Sequence, residues 1–305
     1  MNKLKILWCV NPFQDERSLL ERGRLFLRGL SRSAFVEPVY VSSPAELQIS
    51  LEFSVPFRER YRTVAAQKIG GFLKRVKGLL LKAPRIIEER GAGISDAAKA
   101  LADYARRQNA DALVLGTHSR SGLARFFLGS YAESLLALSR TPVILISPRS
   151  RVPRLKKILF ATDFSPASKK AFGACCRFAK AVGASVILQN VIKCPSHRIT
   201  TRGYILAGSR AVTPSEYMDE LKEKSWSMAR PFLKIAHASR VGAAFRVEAS
   251  ADRSSAVILK TSRTLKCGMI ALAAQSSRLR AGLLGSVSRE VIRGSNLPVW
   301  LLRSA

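Results

Sequence analysis

The sequence predicts an α/β protein made of two copies of one unit, each a five-stranded parallel sheet covered by helices on both faces. Three observations carry that prediction. The stretch Ala112 to Ile146, ALVLGTHSRSGLARFFLGSYAESLLALSRTPVILI, reads as an apolar strand, a loop from Gly116 to Gly129, a helix from Ser130 to about Ser139, and a second apolar strand opened by Pro142. The stretch recurs: a shift of 156 residues sets Gly129 and Ser130 on Gly285 and Ser286, and Thr141, Pro142 and Val143 on Leu297, Pro298 and Val299. A shift of 152 sets KILWCVN (Lys5 to Asn11) on KILFATD (Lys157 to Asp163). Apolar runs also alternate with amphipathic segments along the chain, the βαβ order that right-handed crossovers convert into a parallel sheet. The units, residues 1–150 and 151–305, meet at RSRVPR near Ser150 to Arg154, and each is long enough to bury a core.

In the first unit, Lys5 to Val10 reads as the opening strand. Asp15 to Leu30 follows as an amphipathic helix with Leu19, Leu20, Phe26, Leu27 and Leu30 turned inward, and then Phe35 to Val41 as the second strand. Phe57 to Lys82 reads as a long basic helix bent around Gly70 and Gly71. Its leucines alternate with lysines and arginines, which fits a helix on an anionic membrane but better fits a helix covering the sheet. Arg85 to Glu89 is a third strand, and a helix capped by Ser95 runs to Gln108. The second unit repeats the order. Its strands are expected at Lys157 to Thr162, Ser185 to Val191, Ala243 to Ala249, Gly268 to Ala273 and Leu297 to Leu302. Its helices are expected at Pro166 to Val182, Pro214 to Ala238, Ser254 to Leu265 and Ser286 to Arg293.

Composition narrows the class. With 47% hydrophobic and 24% charged residues the chain is globular, and no apolar run approaches the roughly 18 residues of a membrane span. The apolar N-terminal run is too short for a signal peptide and has no cleavage site, so a cytoplasmic protein is expected. The five cysteines, Cys9, Cys175, Cys176, Cys194 and Cys267, show neither disulfide nor metal-ligand spacing and read as reduced. The formal net charge is +30, of which +11 belongs to residues 1–150 and +19 to residues 151–305. That excess attracts anionic partners in a salt-dependent way, or is simply a solvated surface, since the charges are spread along the chain.

The loop from Gly116 to Gly129 opens onto a helix N-terminus, where unpaired N–H groups and the helix dipole suit a phosphate. Gly116 and Gly129 permit close backbone approach, and Ser130 can cap the helix or meet an anion. The alternative is an ordinary strand-to-helix turn. In a parallel sheet, ligands sit beyond the carboxyl ends of the strands. Asn11, Asp163, Val41 and Val191 fall at such ends. His118 is the only histidine near this loop, with His197 and His237 elsewhere, and no carboxylate pair reads as a general acid and base.

These motifs resemble the universal stress protein family in a tandem, Rossmann-like form covering nearly the whole chain. KILFATDFSPAS is similar to that family's opening strand and aspartate. VLGTHSRSG, FFLGSYAE and TPVILI are similar to its signature strand, loop, helix and closing strand. The family loop is a Gly, two residues, a Gly, nine residues, then Gly with Ser or Thr. Members that bind ATP use the first-strand aspartate and a second-strand end near the adenosine, and the glycine loop around the phosphates.

Carried across, the resemblance implies a first-unit site of Asn11, Val41, Gly116, Ser119, Gly122, Gly129 and Ser130, helped by Arg120 and Arg125. Ser119 stands at the second glycine position, Gly122 lies nearby, and Asn11 replaces the aspartate with an uncharged hydrogen-bonding group. The second unit keeps Asp163, Val191, Gly285 and Ser286. The 156-residue shift puts Leu272 and Gln275 on its loop glycine positions, which argues against a phosphate cradle. Asp163 is expected either to meet ligand or to cap the next helix. The resemblance further implies a non-enzymatic regulatory or stress-response protein with weak ATP binding in the first unit. It also implies an internal pseudo-dimer joined through the closing strands, with a further homodimer open. The alternative is an interaction scaffold whose basic surface holds nucleic acid, anionic lipid or an acidic protein. Slow ATP hydrolysis ranks last, because no base or metal carboxylate is evident.

Overall fold

The structure, a computed structural model, describes residues 3–13, 17–30, 32–43, 55–74, 76, 78–91, 93–117, 130–194, 205–207, 210–274 and 284–303. The first unit runs β1 (Leu4–Cys9), α1 (Arg17–Arg28), β2 (Ala34–Ser42), α2 (Val55–Leu73), β3 (Leu80–Leu81), β4 (Arg85–Glu88), α3 (Ile94–Arg107), β5 (Ala112–Gly116), α4 (Ser130–Leu138) and β6 (Val143–Ile146). The second runs β7 (Lys157–Ala161), α5 (Pro166–Val182), β8 (Ser185–Lys193), β9 (Ile205–Ala207), β10 (Arg210–Val212), α6 (Pro214–Ala238), β11 (Ala243–Ser250), α7 (Ser254–Thr264), β12 (Met269–Ala274), α8 (Ser286–Gly294) and β13 (Val299–Arg303).

Each unit forms a parallel sheet, and the two sheets are one. The strand order is β11-β8-β7-β12-β13-β6-β5-β1-β2-β3, with β4 also on β2. Every pairing in this sheet is parallel except β13 with β6, which run antiparallel with Val299 opposite Leu145 and Trp300 opposite Ile144. The closing strands are thus the junction between the units, as the tandem resemblance implies. Alternation along each strand divides the side chains between two cores. Ile6, Trp8, Ile144 and Trp300 join the core under α1, α2, α5 and α6. Leu7, Leu145, Val299 and Leu301 join the core under α3, α4, α7 and α8. Both cores draw residues from both units, so apolar burial is continuous across the junction.

Local signals account for most boundaries. Ser165 caps α5, its Oγ accepting from the Ser168 N–H, and Pro166 supplies a ready φ for the first turn. Thr213 and Glu216 form a reciprocal capping box at the start of α6. Three expectations change. The long basic helix stops at Leu73, just past Gly70 and Gly71. Leu80 and Leu81, expected in its last turn, pair with Phe35 and Val36 as β3, and the Lys82 N–H donates to Val36 O. Ala65 and Ile69 are buried, so α2 covers the sheet. Ser95 is not a cap: Gly93 occupies that position, and Asp96 Oδ2 reaches back to its N–H at 3.1 Å. The antiparallel hairpin β9–β10 had no counterpart in the sequence reading. Among the described residues no helix is long and apolar enough to cross a membrane.

The junction is also tied by one side chain. Arg303, half-buried at the end of β13, donates from a guanidinium nitrogen to Ala137 O at 2.6 Å and Ser139 O at 3.1 Å, with Leu136 O at 3.4 Å. These are the carbonyls at the C-terminus of α4 in the other unit, where a cation is favoured by the helix dipole. Arg303→Ala is expected to lower stability by about 1–2 kcal/mol. The readout is a lower urea midpoint with unchanged helical circular dichroism; an unchanged midpoint would show that water serves those carbonyls as well.

Candidate functional site

Strand neighbours decide which candidate residues meet. β1 lies between β2 and β5, with Cys9 opposite Val39 and Trp8 opposite Val114. Asn11 just beyond β1, Val41 in β2 and Gly116 ending β5 therefore gather at one carboxyl edge, and α4 begins beyond the same edge at Ser130. The second unit repeats this with Asp163 after β7, Val191 in β8 and the end of β12. Ser119, Gly122, Gly129, His118, Arg120, Arg125 and Gln275 lie outside the described residues.

Asn11 closes an Asx turn: its Oδ1 accepts from the Phe13 N–H at 3.0 Å. The turn carries the Phe13 ring onto Tyr61 of α2, centroids 4.3 Å apart, with the Lys68 ammonium 4.7 Å above the Phe13 ring. Tyr40 and Tyr61 bring their hydroxyls within 3.3 Å. This aromatic cover beside Asn11 was not read from the sequence; the aromatic two residues past Asn11 was the available signal.

In the second unit Asp163 has a local task. Its Oδ1 accepts from the Ser165 N–H at 3.0 Å and the Ser168 hydroxyl at 2.6 Å, which fixes the turn into α5. Phe164 takes a left-handed φ of 60° there, and its ring packs on Phe232 and Phe245. Thr162, Asn190 and Ser225 continue the network: Asn190 Nδ2 donates to Thr162 O, and the Ser225 hydroxyl donates to Asn190 Oδ1.

The ladder also revises the match between the loops. Ala112 lies opposite Ile6, and Met269 lies opposite Ile158, the counterpart of Ile6. The counterpart of Gly116 is then Ala273, one residue beyond Leu272, which sits inside β12 opposite Leu301. The similarity around Gly129 and Gly285 says nothing about register upstream of a loop that is one residue shorter in the second unit. Gly116 itself has a packing reason: a Cβ there would collide with Leu19 Cδ2 of α1. Shifted by 152, Leu19 corresponds to the buried Ala171, so a Leu–Gly contact in one unit corresponds to Ala and Ala in the other. Gly285 differs. Its φ is −57°, and a Cβ there would meet nothing within 4 Å among the described residues, so neither backbone nor packing demands glycine at the start of α8.

Four of the five thiols are poor nucleophiles. Burial pushes Cys9 and Cys176 up to about 12 and Cys267 up to about 11, and Cys175 is raised as well. Among the described residues no three His, Cys, Asp or Glu side chains lie close enough to hold a metal ion.

Two doubly wound parallel halves, each with its strands' carboxyl ends gathered at one edge, define a Rossmann-like class of protein. The Universal stress protein family model matches residues 5–147 and again residues 154–303, so the chain belongs to the universal stress protein family, with the domain in tandem. The crystal structure of a universal stress protein from Archaeoglobus fulgidus aligns with 99% of this chain and 96% of its own, at 15% identity and a TM-score of 0.63. A functionally unknown protein from Pseudomonas aeruginosa aligns with 98% of this chain and 92% of its own, at 12% identity and a TM-score of 0.58. At these identities the likeness concerns the fold. No curated protein matches.

Gly116→Ala should cost about 1–3 kcal/mol through the Leu19 clash. Combined with Leu19→Ala, which leaves a cavity of its own, it should cost at least about 1 kcal/mol less than the sum of the single changes. Additive effects in denaturant titrations would show that Gly116 is not there to admit Leu19.

Proposed function

We propose that this chain is a non-enzymatic regulatory protein of the stress response whose first domain, residues 1–150, takes an adenine nucleotide weakly, ATP being the expected ligand. The second domain, residues 151–305, completes the pseudo-dimer and holds the first domain's last helix. The observation that carries this reading is the convergence of Asn11, Val41 and Gly116 on the carboxyl ends of three adjacent strands, beside the N-terminus of α4. In it Asn11 and Val41 lie against the nucleoside, and Ser119, Gly122, Gly129 and Ser130 surround the phosphates. Weakness follows from the chemistry: an Asn amide carries no charge toward the ribose hydroxyls, and its Oδ1 already serves the Phe13 turn.

The second domain's edge is poorer. The Asp163 carboxylate is engaged in the turn that leads into α5, and Ala273 stands where the first domain has Gly116. Gly285 and Ser286 remain at an open helix start, and Val191 lies half-buried in β8, two residues before its end. We assign this edge a structural role. No step of ATP hydrolysis is proposed, since no described residue offers a paired general base.

Titration of the purified protein with ATP should give a dissociation constant near 1 mM, a binding free energy of about 4 kcal/mol. Gly129→Val should abolish the signal with circular dichroism unchanged, whereas Gly285→Val should leave it intact. No retained nucleotide on purification together with no signal at millimolar ATP would overturn the reading.

A further inference from the structure

The charge excess has an address that is independent of the nucleotide reading. Helices α5, α6, α7 and α8 all end at the amino edge of the second unit's strands, and the inter-unit linker crosses the same edge. The five segments there, residues 149–157, 180–185, 237–243, 263–268 and 293–298, hold ten Lys and Arg and no Asp or Glu. All ten are exposed, and none forms an ion pair with a described residue.

The linker is no loose tail. The Arg151 N–H donates to Asn296 O, Lys156 O accepts from the Ser185 N–H, and Lys157 O accepts from the Gly268 N–H. Gly268 lies so close beneath it that a Cβ would sit 3.0 Å from Leu155 Cα. Five linker cations are thereby held along the edge.

Two more cations are kept at a conformational cost. Arg240 and Lys266, just past the ends of α6 and α7, adopt left-handed φ values of 55° and 52°. The end of α5 shows the ordinary solution, Gly183 at φ 68°. A side chain in that region costs about 1 kcal/mol, similar to what a cation gains from a helix C-terminus. Helix stability alone therefore gives Arg240 and Lys266 no advantage over glycine.

We infer that this edge binds the phosphate backbone of duplex nucleic acid without reading sequence. Strands about 4.8 Å apart spread the five segments over about 20 Å, a length along which a duplex presents about a dozen phosphates. None of the five segments contains Phe, Tyr or Trp, so there is no platform for unpaired bases. None contains an exposed large hydrophobic residue either, so there is no anchor for a bilayer. A row of fixed cations without those additions matches a duplex backbone.

The test is fluorescence anisotropy with a labelled duplex of about 20 base pairs, from about 50 to 200 mM salt. The triple variant Arg154→Glu, Lys156→Glu, Arg263→Glu should weaken binding at least tenfold. Lys99→Glu, Lys224→Glu, Lys234→Glu, the same charge change on other surfaces, should weaken it less than threefold. Arg240→Gly with Lys266→Gly should bind more weakly, with a salt slope smaller by about 2, and should unfold at the same or a higher temperature. Equal loss in the control triple would overturn the assignment, as would no duplex binding at 50 mM salt. Preferential binding to phosphatidylglycerol vesicles would overturn the choice of nucleic acid, and unchanged affinity in the glycine pair would return Arg240 and Lys266 to a purely structural role. ATP titration of the same variants should be unaltered, which keeps this result separate from the nucleotide reading.

Discussion

The antiparallel pairing of β6 with β13 governs the rest of the molecule. Parallel strands must be buried on both faces, and a closing strand left at an edge would expose unpaired N–H and C=O groups along an apolar run. Here Val143 to Ile146 and Val299 to Leu302 are all buried, and each closing strand supplies the other's missing neighbour. The pairing extends both cores through the junction, since each buried cluster draws residues from both units. Because the two strands run in opposite directions, the carboxyl edges of the units point to opposite sides. The first unit's candidate ligand edge therefore shares a side of the molecule with the second unit's acid-free amino edge.

Much of this architecture was legible because the determining signals are local. Ser165 with Pro166, and Thr213 with Pro214 and Glu216, state where helices begin, and α5 and α6 have the bounds their sequences predict. The β-branched and leucine-rich runs at Ala112 and Lys157 could only be strands between turns. What was not legible depended on distant partners. Leu80 and Leu81 lie in a short apolar run, Leu79 to Leu81, that fits a helix or a strand, and only the free edge of β2 decides between them. The reason for glycine at Gly116 is Leu19, far away in sequence, and glycine's motif meaning masks its packing meaning.

The candidate site was less legible than the fold for a related reason. A strand-end residue can be placed from sequence, but its hydrogen bonds depend on the next few backbone angles. Asn11 and Asp163 occupy equivalent ends and both close turns, yet one turn presents an aromatic ring to α2 and the other presents two serines to a carboxylate. Duplication preserved the frame while contacts changed in pairs. Trp8 lies against Gly23, where a Cβ would approach its indole nitrogen to 2.9 Å, and the matched positions in the second unit are Phe160 and Cys175, both fully buried. A smaller ring there accompanies a larger neighbour, as dense packing requires.

Arg303 gives this shared frame a direction. It grips the last turn of α4, a helix of nine residues and thus about 13 Å long, whose other end opens toward the loop that begins after Gly116. An isolated first unit would leave the carbonyls that Arg303 grips to water, so the second unit's final strand is part of what closes the C-terminus of the first unit's last helix.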